Sequence, residues 1–554
     1  MTTQNYWTRK PIQRRTVLRG AAVGVAGLTG AALIGCGSDD DDGTAATTTS
    51  SAGGGSQTAA TSTPGASAAR RGGELKVVFE GDPTGLDPST SRGGNDHHYL
   101  YSMFENVVNN GPNFEVQPGL ADSWEVIDDL TVRFHFPGGS KYHDGSEFSA
   151  EDVRYTIERH LDPETKSYSA GQVKSVESVE VVDDSNVVFH LNAITAPLFA
   201  ILGDRAGMIL PRAATEAAGA DFTNHPVGSG PFELEDWVVD ASVSLKRSEA
   251  YPRADYPNLD AIQVEVVPNS SVQFANLRTG ATDLIFVDPK DQPEARKNDD
   301  VQYEEWTGVG YTQINTNMAL WPNTDVRLRQ AMTYSLNRQA VLDGIFFGSG
   351  VLANGPLTRA TWAFNEDLQP IEEDLPRAKK LLAAAGYPDG VSWELLLKAN
   401  EINTPEAEMI QAQWARVGID LKLAVRSAEE AGAEYRNQKF PMYLVNFSGR
   451  ADPDMTIFEN FHSQGAYNRT VYNDEYVPDA GQASLDAKID QARQLYDQAE
   501  RKPLYDEIQR QMVEDAYGIF FTHRVNAVGL SKRVGGFTPY GDGKLRLHEL
   551  SVEA

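Results

Sequence analysis

Three stretches of the chain concentrate apolar residues in the way that β-strands do. Residues 74–79 read Glu-Leu-Lys-Val-Val-Phe and are followed by Gly-Asp-Pro, which ends a strand. Residues 131–136 alternate apolar and polar side chains and stop at Pro-Gly-Gly, and residues 187–191 form a further apolar run. These patterns predict three strands, of which the second is half-buried.

Other stretches carry apolar residues at helical spacing. Ser149 suits a helix N-cap, because Asp152 three residues later can complete a capping box. A second helix is predicted over residues 378–385, and a long helical region over residues 485–516 with an interruption at Pro503. Strands mixed with helices at irregular spacing indicate a mixed α/β protein.

The first 36 residues have the layout of an export signal. Arg14 and Arg15 precede an uncharged run over residues 20–35, and Cys36 follows. The paired arginines resemble a twin-arginine signal, and Leu-Ile-Gly-Cys resembles a bacterial lipobox, in which the cysteine is acylated. An uncleaved anchoring helix is the alternative, but the 16 residues of the run fall short of the roughly 20 that span a bilayer. We therefore predict a signal over 1–35 and lipidation at Cys36.

The net charge of the chain argues against one class of binding partner. The chain has 554 residues and a formal charge of −29; without the five basic residues of the signal, 44 basic residues face 78 acidic ones, a charge of −34. Such a chain repels phosphate backbones, which argues against nucleic-acid binding. With Cys36 lipidated, no disulfide can form in the mature chain, and residues 36–71 are predicted to be a flexible linker.

Eight short motifs follow one another along the chain: Leu-Asp-Pro at 86–88, Phe-Glu-Asn at 104–106, Leu-Ala-Asp-Ser-Trp-Glu-Val at 120–126, Tyr-His-Asp-Gly-Ser at 142–146, Pro-Val-Gly-Ser-Gly-Pro-Phe at 226–232, Asn-Leu-Arg-Thr-Gly at 276–280, Asp-Val-Arg-Leu-Arg-Gln-Ala at 325–331 and Leu-Leu-Ala-Ala-Ala-Gly-Tyr-Pro-Asp-Gly at 381–390. In this order they resemble the family 5 extracellular solute-binding proteins of ABC importers. That family includes dipeptide-, oligopeptide- and nickel-binding proteins. The resemblance covers about residues 73–550.

The resemblance implies an α/β, two-lobed periplasmic-binding-protein-like fold of class II type, whose lobes close about a hinge. An extra α/β domain is expected within the first lobe. By resemblance, lobe one comprises residues 72–108, 223–312 and 515–554; the inserted domain comprises 109–222; and lobe two comprises 313–514.

Two segments invite a catalytic or metal interpretation that the residues do not favour. His143-Asp144-Gly145 contains acid–base side chains, but Asp-Gly suits a turn that the histidine packs against. His97 and His98 form a pair, yet a transition-metal site needs three or four convergent ligands and none is evident nearby. We predict a turn in the first case and no metal in the second.

The resemblance suggests where a ligand binds. In lobe one the family uses the loop after Leu-Asp-Pro, here residues 91–99, within which we single out His97 and Tyr99. Trp306 and Tyr311 precede Asn315, where the family chain crosses between lobes, and Trp362 follows a Gly-Pro segment near the family's pocket. For the aromatic residues the alternative is a packed core position, and for the loop it is a solvated segment.

The segment 445–454 resembles the family's Gly-Trp-x-x-Asp-x-x-Asp-Pro, with Phe447 in place of the tryptophan. In peptide-binding members an acid after the aromatic pairs with the peptide ammonium, whereas here Arg450 stands near that position. A guanidinium in the cleft would select a carboxylate or phosphate. Asp452, shifted in register, would restore the ammonium contact, and internal pairing of Arg450 with Asp452 or Asp454 is the third interpretation.

The function implied by the resemblance is capture of a peptide or similar polar solute and its delivery to an ABC permease, without cofactor or catalysis. The protein is then expected to be a monomer held by lipid on the outer face of the bacterial cytoplasmic membrane. An exported enzyme is one alternative, disfavoured because no Gly-x-Ser-x-Gly or His-Glu-x-x-His motif occurs. A solute sensor that signals to a membrane receptor is the other.

Overall fold

A computed structural model of the protein describes residues 72–253, 256–320, 322–437, 440–465, 468 and 480–553. The predictions on Arg14, Arg15, Cys36 and the linker lie outside the described residues. The described strands are β1 Glu74–Phe79, β2 Val108–Asn110, β3 Val116–Pro118, β4 Ser123–Asp128, β5 Thr131–His135, β6 Val176–Asp183, β7 Asn186–Leu191, β8 Phe232–Val238, β9 Ser242–Arg247, β10 Ala261–Val266, β11 Leu284–Phe286, β12 Val301–Thr316, β13 Val351–Leu352, β14 Val391–Lys398, β15 Ile419–Arg426, β16 Met442–Phe447, β17 Gly518–Ser531, β18 Val534–Gly535 and β19 Ser551–Val552.

The described helices fall within the ranges expected from the resemblance, and the names lobe one, inserted domain and lobe two refer below to those ranges. They are α1 Asp96–Met103, α2 Ala150–Leu161, α3 Ala170–Val173, α4 Leu198–Leu202, α5 Arg212–Ala218, α6 Ser270–Thr279, α7 Gln292–Ala295, α8 Val326–Tyr334, α9 Arg338–Ile345, α10 Leu375–Ala384, α11 Asn403–Ala415, α12 Ala428–Arg436, α13 Pro453–Phe461, α14 Ala480–Arg493 and α15 Gln498–Glu514. None of these helices has the length and apolar composition that a bilayer span requires.

Two sheets account for most of the described strands. The larger has the order β15-β14-β16-β12-β17-β11-β1-β10-β9-β8, and β13 also pairs with β17. The strand β1 lies between β10 and β11 and pairs in parallel with both, which suits its largely buried apolar run. The smaller sheet, β4-β5-β7-β6, is antiparallel and lies in the inserted domain. The mixed α/β prediction is confirmed.

Strands β12 and β17 run through both halves of the large sheet. Residues 301–307 of β12 pair with 525–531 of β17, on the side where β11 leads to the strands of lobe one. Residues 311–315 pair with 518–523, on the side where β16 leads to the strands of lobe two. The two lobes are therefore joined by one antiparallel pair of strands.

The register of this pair breaks where the chain passes between the lobes. Three residues of β12, 308–310, face the single residue Arg524 of β17. Glycine stands at both ends of the three, where a Cβ would be crowded: one on Gly308 would lie 2.3 Å from Nδ2 of Asn526, whose side chain would have to move, and one on Gly310 would lie 3.0 Å from the Phe447 carbonyl oxygen. We refer to residues 308–310 and Arg524 as the hinge.

The local predictions hold except at one helix boundary. The three predicted strands are β1, β5 and β7, and the helix after Ser149 has the capping box with Asp152. The predicted interruption at Pro503 is wrong, because the helical region breaks at residues 494–497, where Asp497 caps α15 through the Ala499 N–H at 2.7 Å. Pro503 is the sixth residue of α15, in its second turn, so it removes one intrahelical hydrogen bond without ending the helix.

The turn predicted at His143-Asp144-Gly145 is confirmed. Gly145 has φ +84°, and Asp144 accepts the Ser146 N–H at 2.9 Å. His143 Nε2–H donates to the Gly230 carbonyl at 3.0 Å, and its Nδ1 accepts the Gly228 N–H at 3.1 Å. The imidazole therefore connects the inserted domain to the glycine-rich turn of lobe one.

Lobe two contains a fully buried ion pair between the start of α13 and the first turn of α15. Arg501 donates from two guanidinium nitrogens to the Asp452 carboxylate, at 2.7 and 2.9 Å, and to the Tyr505 hydroxyl at 3.0 Å. Asp452 also caps α13 by accepting the Asp454 N–H at 2.9 Å. The exposed fractions of the two charged side chains are 0% and 1%, so neither meets solvent.

Replacing Arg501 by methionine should destabilise the protein by about 3–5 kcal/mol, because a buried carboxylate loses its partner. The change is measured as the free energy of unfolding in urea. Arg510→Met, which removes an exposed arginine from the same helix, is the matched control and should change stability by less than about 0.5 kcal/mol. Equal stability of the two variants would contradict the assigned role of the pair.

Helix α11 buries an acid that has no partner of its own. Glu406 is 0% exposed, and both carboxyl oxygens lack a hydrogen bond among the described residues. Burial raises the pKa of Glu406 to about 8, so the folded protein holds this group protonated at neutral pH.

Stability should therefore fall as the pH rises from about 4.5 to about 8. In this interval the unfolded chain ionises Glu406 while the folded protein keeps the proton, so rising pH favours unfolding. The loss, relative to Glu406→Gln, should be on the order of 5 kcal/mol and should level off above pH 8. Urea unfolding of both proteins at several pH values measures the difference, and a difference that does not change with pH would show that Glu406 is not held protonated.

Candidate functional site

A cavity of about 770 Å³ lies between the two lobes. Strands β1 and β11 end beside it, at Glu80 and Asp288 of lobe one, and strands β14 and β16 end beside it, at Lys398 and Ser448 of lobe two. The middle of β17 forms part of the wall. Crevices at the carboxyl ends of strands are the usual ligand sites of α/β sheets, and the volume suits a small molecule.

Aromatic rings line the lobe-one side of the cavity. The His98 ring lies 5.0 Å from the Phe79 ring and 5.4 Å from the Phe286 ring, measured between centroids. His98 Nδ1 accepts the Leu545 N–H at 2.9 Å, and burial lowers the pKa of His98 to about 3. The imidazole is therefore a neutral, fixed part of the wall.

The lobe-two side contributes Phe447, at the end of β16. Its ring is half-buried and lies 5.4 Å from the ring of Tyr311 on β12. Tyr311 is fully buried behind it and packs at 6.0 Å against Phe520 of β17. The paired strands thus fix the orientation of the Phe447 ring, whose exposed part faces the cavity.

Most charged side chains of the cavity wall are paired. Contacts join Glu80 to Lys398 at 3.7 Å, Glu401 to Lys290 at 2.9 Å, Lys544 to Asp204 at 3.5 Å, and Asp542 to Arg546 at 3.0 Å. Asp288 accepts the backbone N–H of Lys290 at 3.1 Å.

Arg524 differs from these residues. Thr522, Arg524 and Asn526 alternate along β17 and all line the cavity, while His523 between them points away and donates to the Gly355 carbonyl at 2.9 Å. The Arg524 side chain is exposed, although burial of the surrounding cavity lowers its pKa. Within the described part of the chain it has neither an ion pair nor a hydrogen bond. An arginine keeps its charge at neutral pH, so the cavity contains a cation available to a ligand.

Several contacts hold the lobes together around the cavity. Glu401 of lobe two accepts hydrogen bonds from Lys290 at 2.9 Å, Ser270 at 3.0 Å and Asn269 at 3.3 Å, all in lobe one. The backbone N–H of Ala196, in the inserted domain, donates to the Arg493 carbonyl at 3.1 Å. The structure therefore has the lobes closed.

A second contact between the lobes involves two of the residues singled out in the sequence. His97 Nε2–H donates to Asp204 at 2.6 Å, and its Nδ1 accepts from Arg205 at 3.0 Å. Burial, with the charges of Lys544 and Arg205, lowers the pKa of His97 well below its usual range. Arg450 Nε lies 3.6 Å from the other oxygen of Asp204. Both residues thus contact Asp204, and neither is part of the cavity wall.

The remaining predicted positions are buried near the cavity or at some distance from it. Tyr99 is 0% exposed and packs edge-on against Phe79, with ring centroids 5.8 Å apart. Trp306 donates from its indole N–H to the Tyr540 carbonyl at 2.7 Å. Asn315 donates to the Tyr435 hydroxyl at 2.7 Å.

Trp362 and Asp452 belong to the buried interior of lobe two. The Trp362 ring lies 5.6 Å from the Tyr505 ring and has the Arg501 guanidinium 5.1 Å from its centroid. Asp452 is bound by the same arginine, so its carboxylate does not reach the cavity. Arg450 pairs with neither Asp452 nor Asp454, since Arg493 lies beside Asp454 at 3.3 Å. Of the predicted residues, the structure brings Phe447 to the cavity wall.

Sequence reasoning missed His98 and Arg524. The expected loop over 91–99 becomes helix α1 at Asp96, so His97 and His98 project to different sides and it is His98 that meets the cavity. Residues 522, 524 and 526 share one face of a strand, and this alternation could have indicated Arg524 only if the strand had been predicted. No group of three or more histidine, cysteine or acidic residues able to hold a metal occurs among the residues described.

Comparison with known proteins agrees with this geometry. The chain is 29% identical over 461 residues to heme-binding protein A of Haemophilus influenzae, which spans 77% of this chain and 83% of the relative. It is 27% identical over 516 residues to the dipeptide-binding protein of Escherichia coli, over 86% of this chain and 94% of the relative.

A solved structure has the same architecture. The periplasmic binding protein DppA of Helicobacter pylori, in complex with the peptide STSA, superimposes with a TM-score of 0.81 at 25% identity, over 88% of this chain and 99% of that one. The predicted two-lobed fold is thereby confirmed. The profile of bacterial extracellular solute-binding proteins, family 5 middle, matches residues 115–469. The protein therefore belongs to the family 5 extracellular solute-binding proteins.

Proposed function

We propose that the protein captures a peptide or similarly polar solute between its lobes and delivers it to an ABC permease. The observation that carries the proposal is the cavity of about 770 Å³, which lies at the strand ends of both lobes and is walled by aromatic rings and charged side chains. A hydrophobic wall with a few polar groups is what a small-molecule site needs. The charged groups favour a polar solute over an apolar one.

The comparisons support the same ligand class. One relative is named a dipeptide-binding protein, and the superimposed DppA structure contains a four-residue peptide.

Contacts with the ligand are proposed for the rings of Phe447 and His98, which face the cavity from opposite lobes. Tyr311 supports Phe447 from behind. His97 and Arg450 act differently in this proposal: they meet at Asp204 when the lobes close, so they stabilise the closed form rather than the ligand itself.

The proposal also covers how the protein is held in place. Export directed by Arg14 and Arg15 and acylation of Cys36 would fix the chain to the outer face of the cytoplasmic membrane, with residues 37–71 as the tether. The folded body would work there as a monomer, presenting its closed form to the permease and releasing the solute chemically unchanged.

Native mass spectrometry of the purified protein tests the proposed function. We expect a small-molecule adduct that is lost on denaturation and that consists of peptides or another polar solute. Phe447→Ala should weaken retention of the adduct, because the aromatic wall loses a ring, whereas Phe537→Ala, a substitution outside the cavity wall, should not. Chemical conversion of the recovered solute during incubation with the protein would contradict the proposal, as would equal retention by both variants.

A further inference from the structure

The strongest unassigned feature of the cavity is the charge of Arg524. Every other charged side chain of the cavity wall that the structure describes has a partner, either an opposite charge or a backbone N–H. Among the described residues Arg524 has none, and its exposed side chain lines the cavity. An anionic ligand group forms a charge-assisted hydrogen bond with such a guanidinium, which is stronger than the hydrogen bond of a neutral group.

Three acids interact electrostatically with Arg524: Glu406, Glu80 and Asp288. Among the described residues none of them makes a hydrogen bond or an ion pair with it, because Glu80 lies 3.7 Å from Lys398 and Asp288 accepts the Lys290 N–H. Since burial raises the pKa of Glu406 to about 8, its carboxyl is protonated and neutral at pH 7. Among the described residues the Arg524 guanidinium thus lies within the field of Glu80 and Asp288 but has no direct partner, so its N–H donors are available to a ligand in the cavity.

The backbone gives Arg524 a special position as well. It is the one residue of β17 between the stretch paired in lobe one and the stretch paired in lobe two, opposite residues 308–310. A ligand group bound there is held at the hinge, with the end of β1 on one side and the end of β16 on the other. Binding at this point is thus coupled to the angle between the lobes.

We propose that Arg524 is the anchor for an anionic group of the ligand, with the carboxylate of a short peptide as the group that it binds. The inference rests on the proposed function, because it specifies which charged group the captured solute carries. The planar guanidinium offers two parallel N–H donors, which match a carboxylate or a phosphate and repel an ammonium group. The wall of Phe79, His98 and Phe447 then contacts the apolar remainder of the ligand.

Binding measurements on the purified chain, freed of co-purified solute, test this assignment. Four probes are compared by thermal shift and calorimetry: a mixture of di- and tripeptides with free carboxylates, the same peptides as C-terminal amides, a mixture of non-peptide carboxylic acids, and inorganic phosphate. Each is measured with the wild type, Arg524→Gln and Arg524→Lys. Arg510→Gln, outside the cavity, is the matched control.

We expect the peptide acids to bind at least tenfold (about 1.4 kcal/mol) more tightly than their amides. Arg524→Gln should lose this preference, and Arg524→Lys should recover part of it, because the charge returns without the planar pair of donors. Arg510→Gln should bind like the wild type. A variant that merely misfolds would lose amide binding as well, so unchanged amide affinity in Arg524→Gln distinguishes loss of the anchor from loss of the fold.

The outcomes separate the inference from the proposed function. Equal affinity for acids and amides, or full acid affinity in Arg524→Gln, would overturn the anchor while leaving peptide capture intact. Binding of the non-peptide acids or phosphate alone, lost in Arg524→Gln, would support an anion anchor and overturn both the peptide carboxylate as its ligand and the peptide assignment of the proposed function. Binding of none of the four probes would overturn the anchor for a peptide carboxylate, whereas capture of another polar solute is decided by the adduct seen in native mass spectrometry.

Discussion

The pairing of β12 with β17 is the constraint on which both lobes depend. The strands of lobe one extend the sheet from β17, and those of lobe two extend it from β12, so the angle between the lobes is set where this pair changes register. The contacts that close the lobes elsewhere, such as Glu401 with Lys290, are partly exposed and contribute about 0.2–1 kcal/mol each. Because contacts of this size favour the closed form only weakly, the binding free energy of a ligand can shift the equilibrium between the open and closed forms.

The charges of the cavity follow from the same geometry. Closure brings Glu80 to Lys398 and Arg450 to Asp204, so acidic and basic groups of opposite lobes satisfy one another at the rim. Arg524, on the shared strand, belongs to neither rim and meets no such partner. Within the described cavity wall, Arg524 at the hinge is therefore the charged side chain that has neither an ion pair nor a hydrogen bond.

Local sequence patterns were sufficient to predict individual helices and strands and to identify the family. Alternation predicted β5, and the Ser149 and Asp152 pair predicted the start of α2, because the forces involved act within a few residues. The order of eight motifs predicted the two-lobed fold. The start of α1 was missed, and with it the different orientations of His97 and His98, because nothing in the residues around 91–99 separates a loop from a first helical turn.

The site depended on contacts between distant residues. In the sequence, Asp452 resembles a ligand-binding acid. The structure shows instead that it pairs with Arg501, 49 residues later. In the sequence, nothing distinguishes Arg524 from other strand residues. Its position in the hinge follows from the pairing of β17 with β12, more than 200 residues earlier, and from the break in register at 308–310. Side chains of this kind acquire their role from the pairing of strands and the packing of helices, which spacing along the chain does not reveal.

Small-angle X-ray scattering of the purified protein, with its solute bound and after the solute has been removed, tests closure about this hinge most directly. The account predicts a larger radius of gyration for the empty protein and a return to the smaller value when the recovered solute is added back. Identical scattering in the two states would show that the lobes do not close on the solute, and would contradict the central role given to the hinge.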